Sequence, residues 1–174
     1  MLNLFRCLID IVIMVLIYII FLYKRWKLKG RFTLFINSIM YLYIGLVLYV
    51  TLMPIIVKLP LILNNILDYP IQSINLLPFD DYINGRGDTV RQIILNLIMM
   101  MPFGFLMPIV KKSKLFICMA QTFLFSLGIE LFQPLVFRSG DITDIITNTI
   151  GGIIGYLLYL VLKPNVDAFL LRFK

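Results

Sequence analysis

The sequence predicts an all-α fold, a polytopic membrane helix bundle with about five transmembrane helices and a long, partly apolar outer loop. Two observations carry that expectation. Of the 174 residues, 61% are hydrophobic and 14% charged, with a mean hydropathy of +0.97. An ordinary soluble domain is about 45–50% apolar and about 25% charged. A soluble domain this small buries only about two thirds of what its chain exposes, too little to hide such a surface. Disorder requires low hydrophobicity and is excluded. The second observation is spacing, because the apolar residues fall into five runs of the length that a span needs, about 17–25 residues. Lipid offers the backbone no hydrogen-bond partner, so each run is expected to be a helix.

The runs follow in order. Residues 4–23 come first, with no small-residue cleavage site behind them, and read as an uncleaved helix. Residues 32–57 come second, with Pro54 expected to bend the far end. The connection 58–91 exceeds the roughly 12–15 residues usual for structureless loops. It contains apolar 59–67 and then Ile74-Asn75-Leu76-Leu77-Pro78-Phe79, both expected at the membrane interface or dipping into the protein. Asn84-Gly85 signals a turn, and Arg86-Gly87-Asp88 reads as a chance tripeptide. Residues 92–110 form the third run, where Pro102 and Gly104 should loosen the helix and free carbonyls. Residues 115–137 and 142–162 are the fourth and fifth. The whole chain, 1–174, reads as one integral membrane domain.

Charge sets the expected orientation. Eleven of the 16 Lys and Arg lie in the connections 24–31 and 111–114 and after residue 162. Arg6, Lys58, Arg86, Arg91 and Arg138 lie on the other face. Positive loops stay in the cytoplasm, which places the N-terminus outside and the C-terminus inside a cytoplasmic membrane. Asp68, Asp80, Asp81, Asp88, Asp141 and Asp144 gather in or beside the outer loops, with Asp167 opposite. Acidic residues steer insertion little, so this second asymmetry points to chemistry on the outer face.

Composition removes several functions. Histidine is absent, which eliminates Ser-His-Asp and Cys-His catalysis and His-ligated metals. Cys7 and Cys118 are too few for a thiolate metal site, and they lie near opposite boundaries, so two free thiols are expected. The basic residues flank spans and form no nucleic-acid motif.

An ionisable group within a span is a functional-site hypothesis by default. Glu130 sits about 10 Å below the outer end of its run, at 1.5 Å per residue. Thr122, Ser126, Glu130 and Gln133 share one helix face by their spacing of four, four and three. On the fifth run Asp141, Asp144, Asn148, Gly151 or Gly152, and Gly155 form a second stripe, acidic and amide outside and glycine deeper. Glycines at such spacing let another helix approach, within the monomer or between two copies. Asn96 falls at a similar depth on the third run. Asn96, Glu130, Gln133, Asp144 and Asn148 are therefore expected to face one outward-opening pocket, with Arg91, Arg138 and Asp141 at its rim. Arg138 is the natural partner for Glu130 or an adjacent Asp.

These residues sit in motifs that resemble the VanZ-like family. The segments are Ile74-Asn75-Leu76-Leu77-Pro78-Phe79, Asn96-Leu97 leading to Pro102-Phe103-Gly104, Glu130-x-x-Gln133 followed by Arg138, and Asp141-x-x-Asp144-x-x-x-Asn148-x-x-Gly151. The resemblance covers roughly residues 74–160. It implies a bacterial membrane protein associated with resistance to teicoplanin and related lipoglycopeptides.

Three functions fit. The first, favoured, is non-enzymatic: the pocket holds a membrane lipid, a lipid-linked wall precursor or the acylated antibiotic. Arg138 and Arg91 would take a phosphate or carboxylate, while Asn96, Gln133 and Asn148 would fix orientation. The second is an intramembrane hydrolase or transferase using Glu130 and Asp144, with Asp141 and Asp144 as the candidates for a Mg2+ ion. The third is proton-coupled lipid transport through Glu130. No other cofactor and no nucleic acid is expected, and the protein is a monomer or homodimer.

Overall fold

The computed structural model describes residues 2–52, 73–136 and 138–171, with side chains from Leu8 onward. Apolar 59–67, the bend at Pro54, and the side chains of Arg6, Cys7, Lys58 and Asp68 lie outside the described residues. Helix α1 (Leu2–Ile17) passes without a break into a π-helix, Tyr18–Tyr23, and one more α turn, Lys24–Lys27. Helix α2 spans Arg31–Leu52, and a two-residue strand β1 (Ile74–Asn75) precedes the short helix α3 (Asp80–Ile83). Helix α4 spans Thr89–Lys111. Helix α5 (Leu115–Phe132) ends in a 3-10 turn, Gln133–Val136. Strand β2 (Gly140–Asp141) leads into α6 (Ile142–Leu171).

Among the described residues, four helices are long and apolar enough to cross a membrane: Arg31–Leu52, Thr89–Lys111, Leu115–Val136 and Ile142–Leu171. The first expected run is helical too, but its α-helical part stops at Ile17, where the π-helix begins. Here the Tyr41 hydroxyl donates to Met14 O at 2.8 Å, and Tyr18 Oη lies 2.7 Å from Ser38 Oγ. The two bonds tie α1 to α2.

Helices α4 and α6 make the most extensive contact in the bundle. Small residues make it close. A Cβ added at Gly104 would collide with the Gly152 carbonyl, and one at Gly155 with the Met101 carbonyl. Without a hydrophobic driving force in lipid, such backbone approach is what holds helices together. The glycine stripe thus serves an interface within the monomer. Met100, Phe103 and Met107 of α4, Cys118 and Ile129 of α5 and Tyr156 of α6 complete the core.

Two expectations need correction. Helix α4 is not interrupted at Pro102 and Gly104, but runs through both Pro102 and Pro108. The prolines do withdraw donors, and neighbours compensate. Pro108 has no N–H for the Gly104 carbonyl, and the Cys118 thiol donates there at 3.6 Å. Helix α6 does not stop near residue 162 but continues through Pro164 to Leu171. Its extension packs near Phe32 and Lys112 at the basic end of the bundle.

Candidate functional site

The site is built where four helix ends meet. The C-terminal end of α2, the N-terminal half of α4, the C-terminal end of α5 and the first turns of α6 surround a cavity of about 600 Å3. Asn96, Glu130, Gln133, Arg138, Asp141, Asp144 and Asn148 all line it, together with Asp81, Gln92 and Ser139. Arg91 does not line it and lies on the exposed surface. The α5 stripe is buried as its spacing implies, with Thr122 and Ser126 deepest and Glu130 only 3% exposed.

Each acidic side chain has a defined local role. Glu130 Oε2 accepts the Asp141 backbone N–H at 2.8 Å. Gln133, with its amide nitrogen turned inward, donates to the same oxygen at 2.8 Å and to the Ser139 carbonyl at 3.1 Å. Glu130 therefore fastens the turn between α5 and α6. Gly140 makes this possible, because any Cβ there would press on the Glu130 carbonyl at 2.8 Å. Asp141 Oδ1 accepts Thr143 N–H at 2.7 Å, an Asx-type turn that starts α6. Asp144 Oδ1 accepts Asn96 Nδ2 at 2.7 Å, joining α6 to α4. One turn deeper, Asn148 Nδ2 donates to Ser126 Oγ at 2.8 Å. Its carbonyl oxygen is buried and has no hydrogen-bond partner among the described residues.

The segment 74–79 closes over this corner. Ile74 and Asn75 pair in parallel with Gly140 and Asp141. Asn75 Nδ2 donates to Asp141 Oδ2 at 3.3 Å, and Phe79 N–H donates to Thr143 Oγ1 at 2.9 Å. Phe79 adopts a left-handed φ of 58° to make the bend into α3. This part of the loop thus lies against the start of α6 through Asn75 and Phe79, while Leu76 and Leu77 stay exposed. Farther out, Arg86 pairs with Asp80 (3.0 Å) and Asp81 (3.6 Å), and Gly85 turns the chain with φ 62°.

Arg138 departs from expectation. It makes no ion pair within 4 Å with Glu130, Asp141 or Asp144 among the described residues. Its Nη1 donates instead to the carbonyls of Val50 (3.2 Å) and Thr51 (2.9 Å). The reason is local to α2. Val50 and Thr51 lie in its last turn, where helix carbonyls have no intrahelical donor, and a guanidinium satisfies two such oxygens at once.

A family model described as VanZ/LLP1 matches residues 40–163, and so takes in every helix around the cavity. The chain belongs to the VanZ/LLP1 family. "Protein VanZ" of Enterococcus faecium is 36% identical to it over 108 residues, 60% of this chain and 63% of that protein. The match thus spans less than two thirds of the relative's own length. No solved structure matches. In this VanZ/LLP1 chain the motif-bearing residues lie on separate elements and converge at one end of the bundle.

Both Asp141 oxygens and one Asp144 oxygen already accept protein N–H groups. Among the described residues no group of three or more Cys, Asp or Glu comes close enough to hold a metal. Sequence reasoning passed over Asn75, Asp81 and Gln92, whose loop or helix-start positions gave no intramembrane signal. It also passed over Asp10, an acidic residue inside the first apolar run and only 2% exposed. The rule that singled out Glu130 applied to it equally.

Proposed function

We propose that this VanZ-like membrane protein holds the polar head group of an amphiphile in the cavity between α2, α4, α5 and α6, and that it acts in glycopeptide resistance of the teicoplanin type. The amphiphile is a membrane lipid, a lipid-linked wall precursor or the acylated antibiotic. The observation that carries the reading is the cavity itself. Asn96, Gln133 and Asn148 line it from three different elements, beside Glu130, Asp141 and Asp144. Pure helix adhesion needs no such volume, and ligand sites are concave with a few convergent polar groups. Orientation follows from charge, with the cavity at the cell exterior and Lys111, Lys112, Lys114 and Lys163 in the cytoplasm.

Binding is favoured over turnover by the hydrogen bonds of Glu130. Its Oε2 holds Asp141 N–H and the Gln133 amide, which is how a wall residue is used. Gln at position 130 keeps an acceptor oxygen for Asp141. In cells that depend on this protein for teicoplanin resistance, Glu130→Gln is expected to retain most protection. Asp144→Asn combined with Asn96→Ala is expected to abolish it at unchanged membrane abundance. Full protection from the double variant overturns the cavity reading. Complete loss with Glu130→Gln alone, at normal abundance, would favour acid–base chemistry instead.

A further inference from the structure

Resting on that reading of the cavity, we infer that the head group it selects carries an ammonium rather than only a phosphate. The first argument is charge. Glu130, Asp141 and Asp144 line the cavity against one lining cation, Arg138, while Asp81, which also lines it, pairs with Arg86. The Arg138 guanidinium is drawn off to the Val50 and Thr51 carbonyls. No described cation stands within ion-pair distance of Glu130, Asp141 or Asp144. An anionic group entering here faces three carboxylates, and like charges brought together in a partly dry site repel.

The second argument is hydrogen bonding, and it is independent of charge. Asn148 is 1% exposed and lines the cavity, yet among the described residues its Oδ1 has no hydrogen-bond donor. A buried acceptor without a donor costs about 1–3 kcal/mol. Asp144, one turn nearer the mouth, uses only Oδ1, toward Asn96. Both open positions call for a donor: a carboxylate oxygen of Asp144 and, one helical turn along α6, the amide carbonyl of Asn148. An ammonium has three N–H donors and no acceptor, and matches both. Two sources offer that chemistry, an aminated lipid or an amine-bearing lipoglycopeptide.

The test uses the full chain in nanodiscs of equimolar phosphatidylglycerol and its lysyl ester. The two lipids share anchor and phosphate and differ by the ammonium groups. Native mass spectrometry reads the lipid retained after stepwise delipidation. The lysyl ester is expected to be enriched by about tenfold or more, the worth of one hydrogen bond to a charged group. Asp144→Asn should reduce the enrichment to near unity, and Lys112→Gln with Lys163→Gln, at the far end of the bundle, should leave it unchanged. Equal retention of both lipids, or enrichment that survives Asp144→Asn, overturns the inference. Preference for phosphatidylglycerol that Asp144→Asn alters overturns it too, while leaving the cavity reading intact. Retention of every lipid unaffected by Asp144→Asn and by Asn148→Leu sinks both. A second arm adds an amine-bearing lipoglycopeptide or its N-acetylated copy. Displacement of the lysyl ester by the amine form alone assigns the ammonium to the antibiotic, displacement by neither assigns it to the lipid, and displacement by both overturns the inference.

Discussion

Asn148 carries a stability cost that can be read directly. It gives one buried hydrogen bond, to Ser126, and leaves its carbonyl oxygen unpaired. Replacing both members of a buried polar pair by apolar groups of similar shape is close to neutral, whereas leaving one unsatisfied is costly. Ser126→Ala with Asn148→Leu is therefore expected to keep or raise the midpoint of thermal unfolding in detergent micelles, while teicoplanin protection is lost. Ser126→Ala alone strands Asn148 Nδ2 as well and should destabilise by about 1–3 kcal/mol. If the double variant unfolds as readily as that single one, the polar pair is structural and the cost argument fails. Arg138 gives a second residue-level prediction. Its two bonds to α2 carbonyls are formed near the exposed surface, so Arg138→Ala should cost about 1–2 kcal/mol, with Lys recovering part. A variant as stable as wild type would show that solvent caps α2 equally well.

At this same scale the sequence was legible where a polar residue stood in lipid. Glu130, Asp144 and Asn148 could be placed by depth and helix face, because hydrocarbon makes such residues too costly to be incidental. The partner of Arg138 was not legible. A sequence shows a free charge, but it does not show that last-turn carbonyls of another helix lie within its reach.

Elements were legible by hydropathy, and less so at their ends. Four of the five apolar runs coincide with helices long and apolar enough to cross a membrane, while the first is helical but changes to a π-helix after Ile17. The parallel pairing of Ile74 and Asn75 with Gly140 and Asp141 was not legible, since two residues carry no periodic signal. Helix α6 outran its apolar stretch because Pro164 removes one donor without preventing the helix from continuing. The α4–α6 contact yields the clearest element-level prediction. A Cβ on Gly155 would collide with backbone, the Met101 carbonyl, which cannot swing aside as a side chain can. Gly155→Ala is expected to force the helices apart and destabilise by about 1–3 kcal/mol. Gly128 has nothing within 4 Å of its added Cβ. Gly128→Ala should therefore be neutral or stabilising by up to about 1 kcal/mol, the helix preference for Ala. Unfolding midpoints of the two variants side by side decide the matter, and similar values would mean that the close approach contributes little.

The whole molecule is polarised. One end gathers the acidic cavity, and the other gathers Lys112, Lys163 and their neighbours around Tyr159 and Asp167. Insertion machinery reads the positive end as cytoplasmic, so the two ends predict one arrangement in the membrane. The consequence is testable with single cysteines in a Cys7→Ser background, since Cys118 is buried and shielded from reagent. Ile83, beside the cavity and 74% exposed, should react in intact cells with a membrane-impermeant maleimide when changed to Cys. Lys112→Cys should react only after the membrane is opened. The reverse pattern would turn the cavity toward the cytoplasm. There it would meet neither an antibiotic arriving from outside nor the outer leaflet, and its ligand would have to be drawn from the inner leaflet. Function and orientation thus rest on the same asymmetry: Asp144 lies in the first turn of α6 and Lys163 toward its other end, while Glu130 lies near one end of α5 and Lys114 caps the other.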